Sequence, residues 1–76
     1  MPGRITPIKW QKFEKFLTHI GCKCVGQESS HRKWTREGLK RPIIVPCREL
    51  TIGVIMANLN TLGISRDEYV DILGKL

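Results

Sequence analysis

His31 stands in the stretch "ESSHRKWTREGLKRP", Glu28 to Pro42, with two serines before it, a tryptophan three residues after it and five lysines and arginines around it. An imidazole titrates near neutral pH and can take or give a proton, while ammonium and guanidinium groups hold phosphates. Cleavage of RNA at a phosphodiester needs both properties. A base removes the 2′-hydroxyl proton, that oxygen attacks the adjacent phosphorus, cations stabilise the added negative charge, and an acid protonates the leaving 5′-oxygen. The route requires no metal. On this reading His31 is the catalytic base or acid, Lys33, Arg36, Lys40 and Arg41 hold the RNA backbone, and Ser30 orients the ring or donates to a phosphate oxygen. Two other readings use the same residues without chemistry: an RNA-binding module that recognises shape and phosphates, and a protein-interaction domain. Residue types alone leave all three open.

The elements that must position this stretch are few. A chain of 76 residues is read as one domain, near the size at which a single hydrophobic core becomes marginal, and it has no room for a cavity walled on all sides. The hydrophobic fraction of 41% and charged fraction of 26% are those of a globular domain rather than a disordered or membrane chain. No apolar run is long enough to span a bilayer, and "MPGRITPIKW" lacks the apolar core of a secretory signal, so a cytoplasmic protein is expected. The net charge of +6 is uneven: residues 1–48 hold 11 Lys/Arg against 3 Asp/Glu, and residues 49–76 hold 2 against 4. A basic half beside an acidic tail suits a surface that binds a polyanion, although excess lysine also serves solubility.

Cys22, Cys24 and Cys47 are odd in number, so no disulfide framework is expected. Adding His19 gives His-x2-Cys-x-Cys, which matches no common zinc spacing. We therefore expect buried free thiols, no metal site and no cofactor, with His19 serving as a cation near a helix C-terminus.

"TPIKWQKFEKFLTHIG" has the punctuation of a helix, with Thr6 as N-cap, Pro7 at the first helical position and Gly21 as the stop. Trp10, Phe13, Leu17 and Ile20 form its apolar stripe, flanked by Ile8 and Phe16, and Lys9, Lys12 and Lys15 lie away from it. From Lys23 to Pro46 the helical period is lost, and turn signals separate expected strands at about 23–28, 31–36 and 41–45. Alternation puts His31, Lys33 and Thr35 on one face of this meander and Arg32, Trp34 and Arg36 on the other. Trp34 demands burial more than it offers base stacking, so His31 and Lys33 should look outward. Arg32 and Arg36 must then sit at strand ends or snorkel around the sheet edge. "LTIGVIMANLNTLGIS" predicts a second helix capped by Thr51, with Ile52, Ile55, Leu59 and Leu62 apolar and Gly63 as its stop. A short last helix follows a capping box of Ser65 and Glu68, with Tyr69 in the core or an interface. The expected class is α+β, with helices on one face of a three-stranded antiparallel sheet and the other face free.

In this order, "LTHIG", "SSH", "REG", "IIVP", "IGVIMANLNTLGIS" and "RDEY" cover nearly the whole chain and resemble the HicA toxin family, small bacterial mRNA interferases with a fold like the double-stranded RNA-binding domain. The resemblance implies that His31 matches the family's catalytic histidine, that mRNA is the substrate, and that growth arrest is the outcome. It also implies an antitoxin of the HicB type that covers the active face, with operator DNA bound only through the toxin–antitoxin complex. This chain departs from the pattern at Ser29, where the family usually has glycine, and at Met56, where a basic residue is common. Asn58 and Asn60 likewise stand near positions that are often Arg or Lys.

Overall fold

The computed structural model describes residues 4–76, and the first three residues of the N-terminal stretch read above lie outside it. Eight elements follow in order: β1 (Ile8–Lys9), α1 (Trp10–His19), β2 (Lys23–Glu28), β3 (His31–Thr35), β4 (Ile43–Pro46), β5 (Glu49–Leu50), α2 (Ile52–Leu62) and α3 (Arg66–Leu73). β2, β3 and β4 form one antiparallel sheet in that order, and β1 pairs with β5 in a second, two-stranded ladder. This is the α+β, helix–sheet–helix arrangement expected from the sequence, with the three strands displaced by no more than two residues from their expected bounds. Among the described residues no helix is long and apolar enough to cross a membrane.

The start of α1 differs from the sequence expectation. Thr6 and Pro7 do not open the helix; Lys9, in extended conformation with φ −68° and ψ 144°, is its N-cap and contributes no side-chain hydrogen bond. The preceding residues instead pair Ile8 with Leu50 and bury Ile5. An N-cap is worth about 1 kcal/mol, and burying an isoleucine about 1.5–3 kcal/mol, so tertiary burial overrides the local signal. At the other end the stop is as expected: Gly21 has φ +90°, a conformation that costs glycine little, and the Cys22 N–H donates to the Leu17 carbonyl at 2.9 Å.

One core serves all layers. α1 supplies Phe13, Phe16 and Leu17, the sheet supplies Trp34, Ile43 and Val45, and α2 supplies Ile55, Leu59 and Leu62. Tyr69 of α3 closes it, its ring set edge-on to Phe16 at 4.8 Å. Ile52 does not join: it is exposed, as is Met56 one turn later, so the buried stripe of α2 begins at Ile55. Thr51 and Ser65 cap as expected, their hydroxyls accepting from the Val54 and Glu68 N–H groups at 3.3 and 3.1 Å. Of the three free thiols only Cys22 is buried, which corrects the expectation for Cys24, exposed, and Cys47, half-buried. Burial pushes the Cys22 thiol above its ordinary pKa, opposed by the nearby charge of Arg36.

Trp34 faces the helices, and the two arginines on its side of β3 are both accommodated. Glu14 of α1 accepts from Trp34 Nε1–H at 2.7 Å and from Arg32 Nε–H. Arg32 also donates to Gln27 at 3.1 Å and lies over the Trp10 ring, 5.7 Å from its centre. Arg36, one residue past the end of β3, donates to the Ile20 and Leu62 carbonyls, both at 3.2 Å, tying the C-terminal ends of α1 and α2 to the sheet.

Two outcomes follow. Glu14→Ala removes the acceptor of a buried indole N–H and should cost about 1–3 kcal/mol, read as a lower urea midpoint with unchanged slope. The Tyr69 hydroxyl is buried with no hydrogen-bond partner, and desolvation pushes its pKa up to about 12. A pKa raised on folding contributes stability that is fully present below the unfolded value of about 10 and is lost as pH rises through about 12. Tyr69→Phe should therefore match or exceed the wild type in stability at pH 7, and should lose less of it than the wild type between pH 10 and 12; a clear drop at pH 7 would contradict the assignment.

Candidate functional site

The β2–β3 hairpin turns through two residues, Ser29 and Ser30, because Glu28 pairs with His31. Ser29 has φ +59°, and it is the one non-glycine residue with positive φ among those described. A two-residue loop with positive φ at its first position only has the pattern of a type II′ turn, where glycine is favoured. Ser29 thus stands in the conformation that explains a glycine at this place. The Ser29 carbonyl accepts from the Gln27 side chain at 3.1 Å, and the Ser30 carbonyl accepts from the Cys47 N–H at 2.7 Å, which ties the turn to the end of β4.

His31 opens β3 directly after this turn, exposed, on the face away from the helices. Its cross-strand neighbours are Glu28 on one side and Pro46 on the other. Lys33, two residues on and therefore on the same face, is roughly 7 Å further along the strand. Its ammonium group stands 4.0 Å from the Glu28 carboxylate, both exposed. Glu28, His31 and Lys33 consequently form one polar row beside the turn that carries Ser30. The bulge between Cys24 and Gly26 leaves Val25 of β2 60% exposed, an apolar residue in the edge strand of the same sheet.

The sequence expectation gathered five residues around His31, and the structure brings together only two of them, Ser30 and Lys33. The register explains the rest. His31 pairs with Pro46 at one end of the sheet and Trp34 with Ile43 at the other, so the β3–β4 connection carrying Lys40 and Arg41 lies at the far end. Arg36 is at that end too, and its guanidinium is engaged by two backbone carbonyls. Conversely, Glu28 was not anticipated. Glu28 was legible in principle, since a two-residue hairpin places residues 28 and 31 opposite each other.

On α2, Asn58 is not a surface donor: its amide donates to the Ile44 carbonyl at 3.3 Å and joins the helix to β4. Met56 and Asn60 are exposed, and none of the residues of α2 is charged. Among the described residues no three His, Cys, Asp or Glu side chains are grouped to hold a metal ion.

Ser29→Gly should relieve the left-handed strain and raise stability by about 1 kcal/mol, or about 4–8 °C in Tm for a domain of this size. An unchanged or lower Tm would mean that Ser29 is held there by contacts worth as much as the strain. No curated protein and no solved structure matches the chain. The family model for the HicA toxin of bacterial toxin–antitoxin systems matches residues 10–64, from the start of α1 to just past α2. The chain belongs to the HicA toxin family.

Proposed function

We propose that this toxin-family protein is an endoribonuclease that cleaves mRNA in the cytoplasm without a metal ion, with His31 as its catalytic base or acid. The observation that carries the reading is the placement of His31: exposed, at the mouth of a tight hairpin, on the sheet face that the helices leave open, in one row with Lys33. The neutral imidazole takes the 2′-hydroxyl proton, O2′ bonds to the adjacent phosphorus, and the bond from phosphorus to O5′ breaks. The products are a 2′,3′-cyclic phosphate and a 5′-hydroxyl, whose proton comes from an acid such as the imidazolium itself. Lys33 stabilises the charge that builds on the phosphoryl oxygens, and the Ser30 hydroxyl donates to one of them. Glu28 acts by position: its carboxylate beside the Lys33 ammonium keeps that long side chain near the hairpin.

We infer that the partner is an antitoxin of the HicB type seated on this open face, and that operator DNA is reached only through their complex. Membership of a toxin–antitoxin family supports this, as does the exposure of Val25 on the strand beside His31.

The test incubates the protein and its His31→Ala variant with a long single-stranded RNA, with and without EDTA. Expected is fragmentation by the wild type that persists in EDTA and falls at least about a hundredfold in the variant, the usual scale for loss of a general base or acid. Intact RNA in every lane, from protein shown to be folded, would leave a basic binding module and remove the nuclease.

A further inference from the structure

The cations of the basic half are not equivalent once folded. Arg32 is held by Glu14, Arg36 by the Ile20 and Leu62 carbonyls, and Lys33 lies beside Glu28. Lys40 and Arg41 are different: both are exposed, and among the described residues neither has an acidic partner within ion-pair distance. With Arg36, Asn60 and Thr61 they line a groove of about 760 Å³ between the β3–β4 connection and the C-terminal half of α2, and Glu37 is its one acidic residue.

The end of a helix bearing free carbonyls normally repels anions. Here three of the last four are occupied: Leu62 accepts from Arg36, Asn60 from the Gly63 N–H at 3.2 Å, and Leu59 from the Ile64 N–H at 3.1 Å. What the groove offers is two exposed cations and the Asn60 amide against the single carboxylate of Glu37. No aromatic side chain lines it, so it offers bases no stacking platform, and the chemistry it suits is a sugar–phosphate backbone rather than a particular base.

We propose that this groove is a second RNA site, which grips the backbone of a single strand whose scissile phosphate lies at His31. The proposal rests on the reading that RNA is the substrate. From His31 to Arg36 the strand direction spans roughly 16 Å at about 3.3 Å per residue, at least about five stacked nucleotides at 3.4 Å each, and because α2 lines the groove while His31 faces away from the helices the RNA must also round the end of the sheet. The groove thereby sets a minimum length for tight substrates and leaves sequence choice to the residues at the hairpin.

The experiment uses the full chain carrying His31→Ala, so that RNA stays intact, and compares it with the same protein carrying Lys40→Ala and Arg41→Ala. Both are titrated by fluorescence anisotropy with oligouridylates of about four and about twelve nucleotides, lengths that fall short of and exceed the five-step span. Expected is an affinity at least about tenfold higher for the longer strand, a ratio that collapses below about threefold when both cations are removed. The slope of log K against log salt for the longer strand should fall in magnitude by about 1.4, two phosphate contacts at about 0.7 each. An unchanged ratio and slope, with both proteins equally folded, would overturn the proposal. So would intact RNA binding in the double variant accompanied by loss of polyglutamate binding, which would assign the groove to an acidic protein segment. If the wild type binds with the expected length effect but cuts no RNA, the chemistry assigned to His31 falls and the groove stands.

Discussion

The placement of the site depends on one carboxylate. Glu14 projects from α1 onto the sheet and accepts from both Trp34 and Arg32, two residues of β3 that point the same way. Side chains alternate along a strand, so fixing Trp34 inward fixes His31 and Lys33 outward. A slip of one residue would exchange the faces, burying an imidazole and exposing an indole. Glu14 offers two partners of complementary kind, an indole N–H that wants an acceptor in a dry place and a guanidinium that wants a counter-charge. The hydrogen bonds to Glu14 and Gln27 commit the Arg32 guanidinium to structure.

The hairpin does the complementary task along the strand axis. Two loop residues, the first at positive φ, bring Glu28 opposite His31, and the bond from the Cys47 N–H to the Ser30 carbonyl carries the same register across to the end of β4. The imidazole therefore stands on a short, doubly anchored turn rather than on a mobile loop, which suits a group that must meet a phosphodiester at a fixed distance. Ser29 adopts at some cost a backbone conformation that glycine adopts freely, and the strain is concentrated two residues from the imidazole.

Charge in this chain divides into structural and free portions. Arg32 and Arg36 lie near the boundary of the core, where an unpaired cation would be costly, and each is met by acceptors from two different elements. Arg36 serves two helix ends at once, which makes it a staple between α1, the sheet and α2. Lys40 and Arg41 lie outside that network, at the far end of the sheet from His31. A basic stretch that reads as one patch along the chain is thus two regions on the surface, separated by the length of β3.

Much of the architecture was legible in local signals. Gly21 and Gly63 stop their helices at positive φ, Thr51 and Ser65 cap theirs, and the turn residues between hydrophobic runs mark the three strands. The outward face of His31 was also legible, since a single tryptophan in β3 has one acceptable side. The short β1–β5 ladder was not, because two residues carry no periodicity and their pairing joins segments some forty positions apart. For the same reason Thr6 and Pro7 read as a helix start although the chain there is held extended by its partner. The sequence by itself determined the order of elements, their ends and the sidedness of β3, because caps, stops and alternation act over a few residues. Only the tertiary structure decided which cations stand near His31 and which are spent on carbonyls, because that depends on strand register and on which acceptors distant elements bring to each guanidinium.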